Sequence, residues 1–113
     1  MNSVLMAWVV LGASVISEVA GTIALRQSVG FTKVGPALLA GSFYVAAVWL
    51  MAIAMRQLEM GVTYAVWAAS GTAITALVGI AIYNEQASVQ KMAGILLLVI
   101  GVLVLSIERA SDA

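Results

Sequence analysis

The residue with the most chemistry to offer in this chain is Glu18, an acid inside the apolar run 4–25. An acidic side chain deep in a membrane helix costs roughly 2.5–3.5 kcal/mol on insertion scales. At helical spacing its neighbours are Leu11, Ser14, Val15, Gly21, Thr22 and Leu25, at i−7, i−4, i−3, i+3, i+4 and i+7. Ser14, Gly21 and Thr22 make that stripe small and slightly polar, the pattern of a face that packs on other helices or lines a cavity. No Arg, Lys or His lies deep in an apolar run to neutralise the acid. A carboxyl so placed avoids a bare charge in two ways: it holds a proton, because burial disfavours the charged form, or it holds a cation from outside. A group that alternates between those partners is the centre of a proton/cation exchanger. The alternative is structural, a protonated carboxyl that donates a hydrogen bond between helices.

The aromatic residues suggest the kind of cation. Tyr64 and Trp67 stand at i, i+3 with Gly71 completing their face, and Tyr44 lies midway along the run 34–55. Tyr and Trp offer π faces to an organic cation and hydrogen-bond donors to a carboxylate. Three aromatics at a depth comparable to one carboxylate read as a cation cage; the alternative is that they only pack the helices. A metal site is disfavoured. The chain has no His and no Cys, and one carboxylate per chain gives too few hard ligands.

The elements that must hold these groups follow from the composition. The 113 residues are 64% apolar and 9% charged, with a mean hydropathy of +1.13 and formal net charge zero. An ordinary globular domain carries about 25% charged residues. So few polar groups cannot cover the surface of a small soluble fold. A soluble enzyme domain is thereby excluded, as are nucleic-acid binding and intrinsic disorder. Nine of the ten charges fall in four short polar stretches and mark off four spans, residues 4–25, 34–55, 61–83 and 88–107, each long enough as a helix to cross a hydrocarbon core. Continuous apolar runs specify helices, since bilayer-spanning strands would alternate. The expectation is one domain over 1–113, an all-α membrane protein of four transmembrane helices with short loops. Glu18 interrupts the first run and no basic segment precedes it, so a cleaved signal peptide is not expected. Pro36 falls in the first turn of the second span, where its missing N–H costs little. Trp8 and Tyr83 fit an interfacial belt.

Loop charges leave orientation nearly undecided. One side holds Arg56 and Arg109, the other Arg26, Lys33 and Lys91, which gives almost no positive-inside bias. A chain so balanced can insert both ways up and pair with an inverted copy of itself. Two copies of Glu18 would then titrate as a coupled unit. Gly71, Thr75 and Gly79 recur every four residues, and Gly94 and Gly101 share a stripe with Leu98 and Leu105. Both patterns read as close helix contacts, the second as a dimerisation groove.

Several of these residues together resemble the small multidrug resistance transporters over almost the whole chain. They are Ser17-Glu18-Val19, Gly30-Phe31-Thr32-Lys33 with Pro36 after it, the run Gly61 to Trp67 reading G-V-T-Y-A-V-W, and the Gly94/Gly101 pair. The resemblance implies an antiparallel dimer that exchanges protons for organic cations near the bilayer midplane. It makes Glu18 the shared proton and substrate carboxylate. It puts Tyr44, Tyr64 and Trp67 around the pocket, and Leu11, Ser14, Gly21 and Thr22 in the first-helix wall. Gly21, Ala47 and Tyr44 resemble the multidrug, quaternary-ammonium branch, since the guanidinium branch has Trp and Ser at the first two positions and lacks the tyrosine. Ser14 is more polar than the family's usual alanine, and Ala69-Ser70-Gly71 keeps one of two glycines usual at the third-helix kink. The expected function is proton-coupled efflux of hydrophobic and quaternary ammonium cations by a multi-pass protein of the inner (plasma) membrane, with no cofactor and no enzymatic activity. Alternatives are export of guanidinium, a polyamine or another cationic metabolite, a heterodimer with a paralogous chain, or a non-transporting interaction subunit.

Overall fold

The computed structural model describes residues 3–112 as four helices: α1 (Ser3–Gln27), α2 (Val34–Ala54), α3 (Met60–Tyr83) and α4 (Val89–Asp112). No strand occurs among the described residues. All four are long and apolar enough to cross a membrane, α4 over Val89–Ile107. The expected spans hold to within a few residues. The largest difference is at the end of α4, which continues past Ile107 to Asp112 because nothing in the polar sequence there breaks a helix.

Local chemistry sets the turns. Ser28 is fully buried at the end of α1. Its hydroxyl donates to the Leu25 carbonyl at 2.6 Å and accepts the Phe31 N–H at 3.1 Å, while its carbonyl accepts the Lys33 N–H at 3.0 Å. These bonds hold three successive residues in the left-handed region, Val29, Gly30 and Phe31, at φ 49, 67 and 68. Only glycine adopts that conformation without cost, so the α1–α2 turn is strained at Val29, whose side chain is β-branched. The end of α3 is capped by Asn84 at φ 56, and the Glu85 N–H turns back to the Gly79 carbonyl at 3.1 Å.

Helix α1 is central. It packs along α2 and against α3, and α4 packs against α3. Lipid tails are as apolar as leucine, so packing here depends on close approach and interhelical hydrogen bonds instead of burial from water. Ala40, Ala47 and Ala54 form the seven-residue stripe by which α2 meets α1, each at most 2% exposed. Across it the Ser14 hydroxyl donates to the Ala47 carbonyl at 2.6 Å and the Ser17 hydroxyl to the Phe43 carbonyl at 2.8 Å. Ala7, Leu11, Met51, Ala54, Leu58 and Val66 make the continuous core. Large apolar side chains point outward, among them Leu38, Val45 and Trp49, as expected where the solvent is hydrocarbon. Of the described α4 side chains only Ile95 is buried. Ser14→Ala should lower the unfolding free energy by about 0.6 kcal/mol, the mean for such bonds in membrane helices, read by SDS titration in micelles. A loss several times larger would mean that this hydroxyl does more than join α1 to α2.

Candidate functional site

Glu18 reaches from α1 onto α3 at Gly71. Its carboxylate occupies the space that a Cβ on Gly71 would need, and Gly71 is itself buried. Glycine at 71 is therefore the seat of the acid, which any larger residue would unseat. The seated Oε2 atom is buried and has no hydrogen-bond partner among the described residues, and the same holds for the indole Nε1 of Trp67. Trp67 stands one turn from Gly71 along α3. Buried polar atoms are nearly always paired, so an orphan acceptor and an orphan donor near one another mark a place where a ligand or a moving part is expected.

One turn along α1, the Thr22 hydroxyl donates to the Glu18 backbone carbonyl at 3.1 Å and lies 2.7 Å from the Tyr44 hydroxyl. The Tyr44 ring packs on Gly21: a Cβ there would come within 3.2 Å of two ring carbons and 3.1 Å of the Phe43 Cβ. Gly21 thus lets the phenol lie against α1. On the opposite side of Glu18, the Tyr64 and Trp67 rings stack tilted, with centroids 5.6 Å apart at 47°. Aromatic groups consequently bracket the carboxylate along the helix axis, Tyr44 toward the end of α1 and Trp67 toward the start of α3.

The other residues singled out by sequence lie further off. Tyr64 sits in the first turns of α3, about 10 Å along the helix from Gly71, and is 55% exposed; it is not level with Glu18. Leu11 is buried in the core and Ser14 in the α1–α2 contact, so within the protomer both serve packing, while Gly21 and Thr22 adjoin the acid. Added Cβ atoms at Gly94 and Gly101 would meet nothing within 4 Å, which leaves both on an open face of α4. No group of three His, Cys, Asp or Glu that could hold a metal occurs among the described residues.

One cluster went unnoticed in the sequence. Arg26 Nη1 lies 3.6 Å from Glu85 Oε2, and the guanidinium carbon sits 4.1 Å above the Tyr83 ring centroid. Glu85 in turn occupies the space that a Cβ on Gly79 would need. The signal was there in Gly79, two turns beyond Gly71 on the same face, with an acid six residues later and a residue between them, Asn84, that tolerates the left-handed turn.

What can this arrangement do? A half-buried carboxylate with one buried, unpartnered oxygen, bracketed by aromatic faces, can exchange a proton for a soft organic cation. The comparisons with known proteins give a transporter family. Residues 6–98 match the family described as Small Multidrug Resistance protein. A nicotine metabolites export pump subunit of Paenarthrobacter nicotinovorans is 35% identical over 101 residues, covering 89% of this chain and 87% of that one. A guanidinium exporter of Yersinia pestis is 35% identical over 98 residues, 87% and 94% of the two chains. A multidrug transporter of Pseudomonas aeruginosa is 35% identical over 102 residues, 89% and 93%.

Proposed function

The chain belongs to the small multidrug resistance family and is a multi-pass helical transporter of the cell membrane; from that premise we propose that it is a proton-coupled antiporter exporting hydrophobic and quaternary ammonium cations as an antiparallel homodimer. The observation that carries this reading is the seated, unpartnered carboxylate of Glu18. Deprotonated Glu18 from both protomers holds the cation, with Tyr44, Tyr64 and Trp67 closing around it. The 55% exposure of Tyr64 fits a residue that completes the cage against the inverted partner. Protons arriving on the opposite face neutralise the acids and release the cation, and rocking of the two inverted protomers exposes the site to each side in turn. The open α4 face with Gly94 and Gly101 supplies the dimer contact, and the evenly divided loop charges suit self-pairing of chains inserted both ways up.

Substrate class is read from one contact. Gly21 and Tyr44 are packed so closely that even a methyl group at 21 crowds the phenol ring. The tryptophan that the guanidinium branch carries at that position could not share this space with Tyr44. Glycine together with tyrosine leaves a wide aromatic wall, suited to bulky, weakly hydrated cations. A second reading draws on the names of relatives, one a guanidinium exporter and one a nicotine metabolites pump subunit: transport of a specialised cationic metabolite, in a homodimer or with a paralogous chain.

Solid-supported-membrane currents from proteoliposomes of the purified chain separate these readings. Tetraphenylphosphonium and quaternary ammonium pulses should both give currents that grow with an opposing proton gradient. Currents to guanidinium alone would overturn the branch assignment. Silence toward all three classes from a folded dimer would point to an interaction subunit or an obligate heterodimer.

A further inference from the structure

The stripe Gly71, Thr75, Gly79 on α3 receives two carboxylates, not one. Glu18 of α1 is seated on Gly71 and Glu85 of the α3–α4 turn on Gly79, so the two acids sit about 12 Å apart along the helix. A cavity of about 190 Å³ runs between these levels, with Thr22 and Thr75 in its walls and Arg26, Tyr83 and Glu85 at its outer end. Its inner end adjoins the central site, because Thr22 is the residue bonded to both Tyr44 and the Glu18 carbonyl.

The outer end has the makings of a cation site, a carboxylate beside an aromatic face, and the chain's own guanidinium fills it. Arg26 reaches Glu85 at 3.6 Å and covers the Tyr83 ring at 4.1 Å. The backbone is shaped to present the acid there: Asn84 turns left-handed at φ 56, and the Glu85 N–H closes on the Gly79 carbonyl. The ion pair is long and its two side chains are 56% and 44% exposed; pairs of this kind hold weakly, so an incoming cation can displace the guanidinium.

We infer that Tyr83 and Glu85 form a second, peripheral site for monovalent organic cations, which Arg26 occupies as a tethered competitor and yields to substrate passing to or from Glu18. This rests on the proposed transport of organic cations and deepens it. The peripheral site raises the local substrate concentration at one mouth, and Arg26 keeps that mouth filled when no substrate is present.

The test removes the central site first, so that its result is independent of the central mechanism. In a Glu18→Gln background, equilibrium dialysis of tetraphenylphosphonium against purified protein reads the peripheral site alone. Adding Arg26→Gln should strengthen saturable binding about fivefold, the scale of one released cation–π contact, and adding Glu85→Gln to that pair should remove the gain. Equal binding with and without Arg26→Gln, or a gain that survives Glu85→Gln, would overturn the inference. Arg26→Met in the same background gives the same readout if the glutamine variant does not purify as a dimer. In the otherwise unaltered chain, Glu85→Gln should raise the KM for transport severalfold with turnover retained, and an unchanged KM would count against the site. Absence of transport by the unaltered chain would sink the proposed function, a result distinct from either outcome in the Glu18→Gln background.

Discussion

Glu18→Gln should insert, dimerise and yet carry no coupled transport. Glutamine matches glutamate in size, so it fits the seat at Gly71, but it neither takes up a proton nor balances a cation. Loss of a charge-assisted contact corresponds to about a 10- to 100-fold loss of cation affinity, and loss of the proton-binding group removes coupling altogether. The measurement is proton-driven uptake of a quaternary ammonium cation into vesicles, with dimer content followed in parallel. Glu18→Asp keeps the charge but shortens the side chain by one methylene, drawing the carboxylate back from Gly71, and is expected to be crippled to a lesser degree. Uptake by Glu18→Gln at the unaltered rate would remove the acid from the mechanism.

Gly71→Ala should be nearly as damaging, although it changes a single hydrogen for a methyl. The new Cβ lands on the Glu18 carboxylate. Either the acid leaves its seat or α1 and α3 move apart, and overpacking of this kind costs about 1–3 kcal/mol. At 1.4 kcal/mol for each factor of ten, transport should fall by about 10- to 100-fold. The cause can be isolated by a double-mutant cycle. With Glu18→Ala already in place there is no carboxylate to strike, so the further cost of Gly71→Ala in dimer stability should vanish. Gly35→Ala is the matched control, since a Cβ at Gly35 meets nothing within 4 Å. An additive cycle would show that Gly71 serves helix packing and not the seating of Glu18.

The contrast between Glu18 and Gly71 shows how much the sequence could reveal. Glu18 was legible because membrane helices carry so few charges that one out of place declares itself, and the span boundaries were legible because the remaining charges mark them. Some neighbours were legible too: Tyr44 and Trp67 lie to either side of the acid along the helix axis, and Thr22 bonds its backbone carbonyl. The register between helices was not legible. Periodicity showed that Gly71, Thr75 and Gly79 share a face and suggested helix-on-helix contact. It could not show that the notches are filled by carboxylates from α1 and from the α3–α4 turn, because which neighbour enters a notch depends on how far α1 is shifted along α3. The same shift separates Tyr64 from the level of Glu18, while the packing of α1 on α2, equally hidden in the sequence, sets Ser14 on the Ala47 carbonyl. The Arg26, Tyr83 and Glu85 cluster joins the ends of two helices far apart in sequence, and only the left-handed turn at Asn84 brings the acid back to meet the guanidinium.

The contacts beside the acid form a chain: Gly21 admits Tyr44, Tyr44 bonds Thr22, and Thr22 bonds the carbonyl of Glu18, so a shift of the phenol is felt at the backbone that carries the acid.

The most direct measurement is proton release on cation binding. Purified dimer in weakly buffered detergent is mixed with tetraphenylphosphonium while pH and bound cation are followed together. If Glu18 exchanges one partner for the other, binding releases protons from the unaltered protein, and Glu18→Gln releases none. Cation binding without proton release, or release that persists in Glu18→Gln, would contradict the exchange at this carboxylate.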